Sequence, residues 1–205
     1  QTISGITERF NDKYRDELPS GAVKYMEFIE EASNRMKNLT NELLTYSRLG
    51  HKVEDLKTID LNKLLELVKG DMESSIIDNK VTIVSDPLPK VQGDETQLGL
   101  LFQNLISNSI KYRRKPNPKV TIKVKDNRDY WNFSFKDNGI GIEEKHHSKI
   151  FEVFKRLHNK SEYEGTGIGL SNCKRIVNNH GGEIWVTSKL DKGATFHFTI
   201  PKNVE

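Results

Sequence analysis

A regular spacing of apolar residues dominates the first fifty residues. Eight apolar residues recur at alternating intervals of three and four positions: Ala22, Tyr25, Ile29, Ala32, Met36, Leu39, Leu43 and Tyr46. This heptad spacing, which we call the seam, is typical of helices that supercoil or bundle. Upstream, Ile3, Ile6 and Phe10 form a shorter seam, and DELPSG at 16–21 predicts a turn. Residues 1–50 are therefore predicted to form a helical hairpin.

The hairpin has two possible partners. A seam this regular favours a dimeric four-helix bundle formed by two copies of the chain. The alternative is an ordinary amphipathic helix pair that packs on its own domain.

A second domain is predicted after a linker. Residues 51–59 are polar and lack apolar periodicity. Asp60 then stands where a helix cap is expected, ahead of an apolar helical pattern. A further helix is predicted from the Asp94 cap to about Arg113, because Gln follows that aspartate after three residues. The predicted second domain covers residues 60–205.

Short alternating segments in this domain predict strands. They occur at 81–84, 119–125, 131–135, 183–188 and 194–200. Alternation indicates a sheet with one buried and one solvated face, and the predicted helices would cover the buried face. The fold class is therefore predicted to be α+β.

Composition excludes several functional classes. With 205 residues and 35% hydrophobic content, the chain can bury one sizeable core beside a smaller element. Its net charge of +3 is spread along the sequence, so we expect no nucleic acid partner and no membrane contact. A single cysteine, Cys173, excludes an internal disulfide and is expected to be a buried, inert thiol. No apolar run approaches the roughly 20 residues of a membrane span, so we expect a cytoplasmic location.

Asp137 is the first candidate for a binding residue. It falls in phase with Phe133 and Phe135, so its carboxylate is predicted to point toward the helices. One interpretation is an Asx-turn in which Asp137 binds its own downstream amides. The other is a ligand amino group on the carboxylate, with Gly139 and Gly141 allowing close approach to the backbone.

Two further clusters suggest a phosphate ligand. The segment EGTGIGL at 164–170 precedes a helix that ends near His180, and a helix N-terminus favours an anion. P-loop and Rossmann patterns do not fit it, and a flexible loop is the alternative.

The second cluster lies on one face of the helix that starts at Asp94 and consists of Gln97, Asn104, Asn108 and Lys111. That face is either simply solvated or brings amide oxygens to a hard cation and a lysine to phosphate.

Together these segments resemble sensor histidine kinases. They stand in the order and spacing of the N, G1, F, G2 and final glycine boxes of that family: 103–112, 137–142, 149–158, 164–170 and 192–198. Residues 34–49 are similar to the second helix of the family's dimerization and phosphotransfer hairpin, and VFKRLH at 153–158 resembles the phytochrome-like subgroup. The resemblance implies a two-layer α/β sandwich, the Bergerat-type ATP-binding fold, preceded by the hairpin.

The resemblance also implies roles for particular residues. Asp137 would accept from the adenine amino group, with Thr195 supporting it through water and Ile142 and Tyr112 walling the base. Asn108 would bind Mg²⁺ with Asn104 beside it, and Lys111 would reach the phosphates. The remaining nucleotide-binding positions implied are Gly139, Gly141, Lys155, Arg156, Gly165, Thr166, Gly167, Gly169 and Leu170. Phosphoryl transfer needs mainly positioning and charge neutralisation. The residues that the resemblance implies for catalysis are Asn104, Lys111 and Arg156.

The implied reaction lacks its acceptor. In the family, a His-Asp/Glu-x-x-x-Pro motif on the first hairpin helix carries the phosphoryl group, and none of the six histidines here has that context. We expect a fragment cut inside that helix and unable to phosphorylate itself; natural loss of the acceptor is the alternative. The parent would transfer the γ-phosphoryl of Mg·ATP to histidine, for relay to a response-regulator receiver domain.

Two other functions are compatible with the same residues. One is an ATPase of the same fold, as in chaperones, topoisomerases and mismatch-repair proteins, although those relatives place a glutamate where this chain has Asn104. The other is a nucleotide-sensing interaction module that uses the hairpin for docking. Whether the parent is membrane-anchored is likewise left open by the sequence.

Overall fold

The chain divides into two units, residues 1–48 and 49–205. The computed structural model describes residues 2–50, 56–114, 117–157 and 165–202. Residues 51–55 of the predicted linker, and His158 and Glu164 of the predicted boxes, lie outside the described residues. None of the described helices is long and apolar enough to cross a membrane.

Two helices make up the first unit, as the seam predicts. Helix α1 spans Thr2–Tyr14 and helix α2 spans Ser20–Arg48, with a 3-10 turn at Arg15–Glu17 between them. The helices are joined by polar contacts, because Asn11 Nδ2 donates to Glu30 at 3.3 Å. The predicted helical hairpin is therefore confirmed.

Most of the large apolar side chains of the hairpin are exposed. Tyr25 of the seam is 71% exposed, and Ile6 of the shorter seam is 62% exposed. The buried residues of this unit are instead Thr7 and Ser33, which are polar. The seam residues Tyr25, Ile29, Met36, Leu39 and Leu43 are thus exposed on the hairpin, whereas Ala22, Ala32 and Tyr46 are half-buried.

A five-stranded mixed sheet forms the centre of the second unit. Its strand order is β2-β4-β5-β7-β6. The strands are β2 (Thr82–Ser85), β4 (Lys119–Asp126), β5 (Tyr130–Asp137), β6 (Ile184–Ser188) and β7 (Ala194–Pro201). Strands β2 and β4 are parallel, and all other pairs are antiparallel. The predicted α+β class is confirmed.

Two short strands were not predicted from the sequence. Strand β1 (Lys57–Asp60) pairs antiparallel with strand β3 (Lys90–Gly93) in a separate two-stranded sheet. Residues 57–59, for which the sequence suggested a linker, therefore belong to the second unit. Ile59 and Val91 of this small sheet are buried in the common core.

The described part of the unit also contains the α-helices α3 (Leu61–Asp71), α4 (Glu73–Asp78), α5 (Glu95–Lys111) and α6 (Gly169–Asn179). The predicted caps are present, because Asp60 accepts from Asn62 N at 3.1 Å and Asp94 accepts from Gln97 N at 2.9 Å. Cys173 on α6 is fully buried, and burial raises the pKa of its thiol.

The sheet buries one face against these helices. Phe133 stacks on Phe198 with ring centroids 4.9 Å apart, and Phe135 lies tilted against Phe198 at 5.8 Å. Phe102 of α5 meets Phe135 edge-on at 5.1 Å. These rings are almost wholly buried. Alternate residues of β7 are less buried, as expected for a sheet with one solvated face.

Candidate nucleotide-binding site

A pocket opens where α5, the end of β5 and the start of β7 meet. It has an empty volume of about 600 Å³, counting the open space at its mouth. It is lined by Asn108, Tyr112, Asp137, Ile140, Gly141, Ile142, Ile150, Lys155, Arg156, Leu157, Leu170, Ala194 and Phe196. Apolar walls with a few polar groups are typical of small-molecule sites.

Asp137 is the buried carboxylate of this pocket. It ends β5 in phase with Phe135, and its Oδ1 accepts from Gly139 N at 2.8 Å and from Ala194 N at 3.0 Å. Burial raises the pKa of its carboxyl group, and the two amide hydrogen bonds oppose that shift. Among the described residues both hydrogen bonds end on Oδ1, so Oδ2 is left for a ligand. The Asx-turn considered from the sequence is thus present and coexists with a free acceptor oxygen.

The loop after Asp137 packs tightly against the turn between β6 and β7. We call residues 137–142 the Asp137 loop and residues 189–193 the β6–β7 turn. A Cβ atom at Gly141, whose φ is +74°, would lie 2.1 Å from Lys189 O. Asp191 N also donates to Ile140 O at 2.7 Å. Only glycine permits this approach at position 141, which is why the second glycine of DNGIG is required.

Ile142 is fixed at both of its backbone polar groups by side chains. Its N–H donates to Ser188 Oγ at 2.8 Å, and His147 Nε2 lies 3.1 Å from its carbonyl oxygen. Ser188 Oγ in turn donates to Gly193 O at 2.7 Å. Ser188 is a residue that sequence reasoning missed, because its contacts join segments that are distant along the chain.

Asn108 and Asn104 lie one turn apart on α5. Asn108 lines the pocket, and its Nδ2 is buried with no hydrogen-bond partner among the described residues. A buried amide of this kind calls for a partner from a ligand. Asn104 Nδ2 donates to Leu100 O at 2.9 Å, which turns its Oδ1 toward Gly169. A Cβ atom at Gly169 would lie 2.9 Å from that oxygen.

Lys111 meets the second glycine cluster. Its Nζ lies 4.7 Å from the centroid of the Tyr112 ring, a cation–π distance. A Cβ atom at Gly165 would lie 2.2 Å from the same Nζ. Residues 165–169, which we call the glycine segment, therefore lie against the cation and Asn104 of α5.

The glycine segment leads into the N-terminus of α6. Ile168, at the cap position, makes no side-chain cap hydrogen bond, so the first amides of the helix lack that partner. Thr166 Oγ1 accepts from Ile168 N at 3.4 Å. A Cβ atom at Gly167 would lie 3.0 Å from Lys155 O. Lys155 and Arg156 are thus next to both the glycine segment and the pocket.

The structure brings most predicted site residues together, but not all line the pocket. Those in the lining are Asn108, Tyr112, Asp137, Gly141, Ile142, Lys155, Arg156 and Leu170. Adjacent to it lie Asn104, Lys111, Gly139, Gly165, Thr166, Gly167 and Gly169. Thr195 is outside the lining, and the β7 residues that face the pocket are Ala194 and Phe196. Strand alternation from Phe198 could have identified these two positions.

The amide oxygens of Asn104 and Asn108 suit a magnesium ion that is held mainly by a phosphate ligand. The described residues contain no cluster of three or more histidine, cysteine, aspartate or glutamate side chains. Mg²⁺ bound with nucleotides commonly uses only one or two protein oxygens and completes its shell with phosphate and water. The amides of Asn104 and Asn108 can supply such oxygens beside the pocket.

Comparisons with known proteins agree with this geometry. The family model of histidine kinase-, DNA gyrase B-, and HSP90-like ATPases matches residues 93–204. Cyanobacterial phytochrome A of Nostoc sp. strain PCC 7120 is 41% identical over 199 residues, covering 97% of this chain and 26% of the relative. The chain spans about a quarter of the length of the curated relatives it matches.

Two solved structures share the fold. Full-length ShkA in complex with AMPPNP superposes with a TM-score of 0.73 at 24% identity, covering 98% of this chain and 43% of that one. Histidine kinase ThkA in complex with the response regulator protein TrrA gives a TM-score of 0.70 at 26% identity, covering 97% and 57%. The chain therefore belongs to the family of histidine kinase-, DNA gyrase B- and HSP90-like ATPases, with the catalytic domain of a sensor histidine kinase.

Proposed function

We propose that this chain binds Mg·ATP and serves as the catalytic part of a two-component kinase that transfers the γ-phosphoryl group to a histidine. The observation that carries the proposal is the buried Asp137 carboxylate. Two backbone amides occupy its Oδ1, and its Oδ2 is left for a ligand. A hydrogen-bond acceptor in an apolar pocket is complementary to adenine, whose exocyclic amino group is a hydrogen-bond donor.

The walls of the pocket suit a flat base. Ile142 and Tyr112 line it, as do Ile150, Leu170 and Phe196 from other elements. Apolar contact on both faces with one polar acceptor at the edge would bind adenine and reject a base that presents a carbonyl oxygen there.

The phosphates would extend toward the glycine segment. Lys111, Lys155 and Arg156 supply positive charge, and the uncapped N-terminus of α6 supplies backbone amides. Asn108 and Asn104 would hold Mg²⁺, which when bound neutralises charge on the phosphate oxygens. The protein's part in the transfer is thus positioning and charge stabilisation, as phosphoryl transfer requires.

The acceptor and partners are part of the same proposal. We assign the acceptor role to a histidine in the family's motif context, outside the six histidines of this chain. The seam of the hairpin would pair with a second copy in a four-helix bundle, since large apolar side chains such as Tyr25, Ile29 and Leu43 are exposed there. A response regulator is the expected recipient; the related histidine kinase ThkA was crystallised with its response regulator protein TrrA.

A same-fold ATPase is the second candidate function, and one observation weighs against it. The same-fold ATPases use a glutamate that takes a proton from water, and position 104 here carries an amide whose Nδ2 donates to Leu100 O. An amide has no such basicity. A nucleotide-sensing module without transfer activity is the third candidate, and only a transfer assay separates it from a kinase.

The experiment that tests the proposal is calorimetric titration of this chain with a non-hydrolysable ATP analogue and Mg²⁺, beside an ATP turnover assay. We expect saturable binding at one site and no sustained turnover. Absence of binding would overturn the proposal, and steady phosphate release would favour the ATPase.

A further inference from the structure

Ser188 lies beside the nucleotide pocket and is not among the predicted site residues. It is the last residue of β6 and pairs with Ala194, the first residue of β7. Its side chain is half-buried and faces the Asp137 loop, where its Oγ meets the N–H of Ile142.

The hydroxyl group of Ser188 makes two hydrogen bonds of opposite sense. It accepts from Ile142 N at 2.8 Å and donates to Gly193 O at 2.7 Å. A hydroxyl has one proton and acceptor lone pairs, so one small side chain can satisfy both backbone groups. Alanine at this position would leave a peptide N–H and a peptide carbonyl without these partners.

The carbonyl that Ser188 binds belongs to the peptide group that holds Asp137. Gly193 C=O and Ala194 N–H are the two polar ends of one planar peptide unit, so fixing one end orients the other. Ala194 N–H donates to Asp137 Oδ1 at 3.0 Å. A continuous series of hydrogen bonds therefore runs from Ile142 through Ser188 and the Gly193–Ala194 peptide to Asp137, and such series polarise their members.

We infer that Ser188 is a positioning residue for base selectivity: its hydroxyl orients the Gly193–Ala194 peptide and thereby aims the Asp137 carboxylate at the amino group of the bound base. This inference rests on the proposed binding of adenine nucleotide. Ser188 also holds the Ile142 wall, so one hydroxyl sets the spacing between the acceptor and the wall of the pocket.

The alternative is a hydroxyl that only stabilises the turn. That role would change the stability of the fold and the affinity for every nucleotide alike. A positioning role changes the ratio of two affinities: that for an adenine nucleotide, and that for a matched inosine nucleotide, which carries a carbonyl oxygen in place of the amino group.

The test compares Ser188→Ala, Ser188→Thr and Thr187→Ala with the unchanged chain. Each is titrated with non-hydrolysable ATP and ITP analogues, and its melting temperature is measured. Thr retains the hydroxyl group. Thr187 is the matched control, because it is the preceding residue of β6 and its hydroxyl meets half-buried His197 Nε2 at 2.8 Å instead of the pocket. Ser188→Cys, nearly isosteric and a weak hydrogen bonder, serves if Ser188→Ala does not fold.

Because a hydrogen bond to a charged group changes affinity by roughly tenfold or more, we expect the unchanged chain to prefer the adenine analogue by that factor. Ser188→Ala should reduce that ratio by at least about threefold, Ser188→Thr should restore it, and Thr187→Ala should leave it unchanged. An unchanged ratio in Ser188→Ala, or equal loss of both affinities, would overturn the inference while the proposed function stands. If the unchanged chain binds neither nucleotide, the proposed function fails and the inference with it.

Discussion

His180 Nε2 accepts a hydrogen bond from the backbone N–H of Asp94 at 3.0 Å. Its Nδ1 lies 2.8 Å from Ile176 O, to which it must donate because a carbonyl can only accept. The ring is therefore neutral, with one nitrogen as donor and the other as acceptor. It joins the end of α6 to the start of α5, the helix that carries Asn104 and Asn108.

This contact makes stability depend on pH. Burial lowers the pKa of His180 below its ordinary value. As the pH falls through about 6.5, His180 therefore takes up a proton in the unfolded chain while it stays neutral in the folded chain. The free energy of unfolding should therefore be fully retained above about pH 6.5 and should decrease as the pH falls below it. Urea denaturation between pH 5 and 8 measures this decrease.

A non-titrating variant isolates the contribution of His180. His180→Gln keeps a hydrogen-bond acceptor but cannot take up a proton, so its pH dependence should be flatter than that of the unchanged chain. Burial also lowers the pKa of His197, but that residue is present in both proteins and cancels in the difference. Identical pH dependence in the two proteins would contradict the role assigned to His180.

Features encoded by local periodicity were predictable from the sequence. The phase of Asp137 follows from alternation along β5, and the Asp94 cap follows from its spacing to Gln97. Both depend on residues within a few positions. The sequence therefore predicts α5, the sheet's buried face and the carboxylate of the pocket.

Features that depend on distant segments were not predictable in the same way. Strand β1 is four residues long, and its partner Gly93 lies 36 positions after Lys57. Ser188 binds Ile142 across 46 positions. The water-mediated role of Thr195 came from resemblance and stays a prediction; on this strand the pocket is lined by Ala194 and Phe196.

Asp137→Asn should abolish selective binding of adenine nucleotide while leaving the fold intact. The amide oxygen can still accept from Gly139 and Ala194, but the NH₂ group would then meet the adenine amino group, donor against donor. We expect loss of roughly tenfold to a hundredfold in affinity by calorimetry.

The same substitution should not lower the melting temperature. Burial raises the pKa of Asp137, so its ionised carboxylate lowers the stability of the fold at neutral pH, and a neutral amide does not. Exposed Asp71→Asn is the control, and unchanged affinity of Asp137→Asn would contradict the assignment.

Asn108→Ala should separate metal binding from nucleotide binding. The change removes an amide beside the pocket whose Nδ2 lacks a partner among the described residues. If its oxygen holds Mg²⁺, affinity for Mg·ATP should fall by about tenfold or more, while affinity for ATP in EDTA changes far less. Calorimetry with and without Mg²⁺ measures both. Exposed Gln103→Ala on the same helix is the control, and equal losses under both conditions would indicate a folding defect.

The hairpin should associate through its exposed seam. Ile29 and Leu43 are 46% and 49% exposed, and burying the exposed half of such side chains contributes about 1 kcal/mol each. The unchanged chain is therefore expected to dimerise, and Ile29→Glu with Leu43→Glu should make it monomeric in light scattering. Asn34→Glu, on the opposite side of α2, should not. Nucleotide binding should survive, because the pocket residues all belong to the unit 49–205. A dimer that persists in the double variant would contradict a seam-mediated bundle.

The last prediction concerns the acceptor. With γ-labelled ATP this chain should bind nucleotide yet incorporate no phosphate, because none of its six histidines stands in the His-Asp/Glu-x-x-x-Pro context. Among the described histidines, His180 uses both ring nitrogens in hydrogen bonds, and His147 and His197 use Nε2. A chain extended before Gln1 by a helix with the His-Asp/Glu-x-x-x-Pro motif should become labelled, and the label should be acid-labile and base-stable. The same extension with that histidine replaced by glutamine is the matched control. Strong labelling of the unextended chain would show that one of its six histidines accepts the phosphoryl group after all.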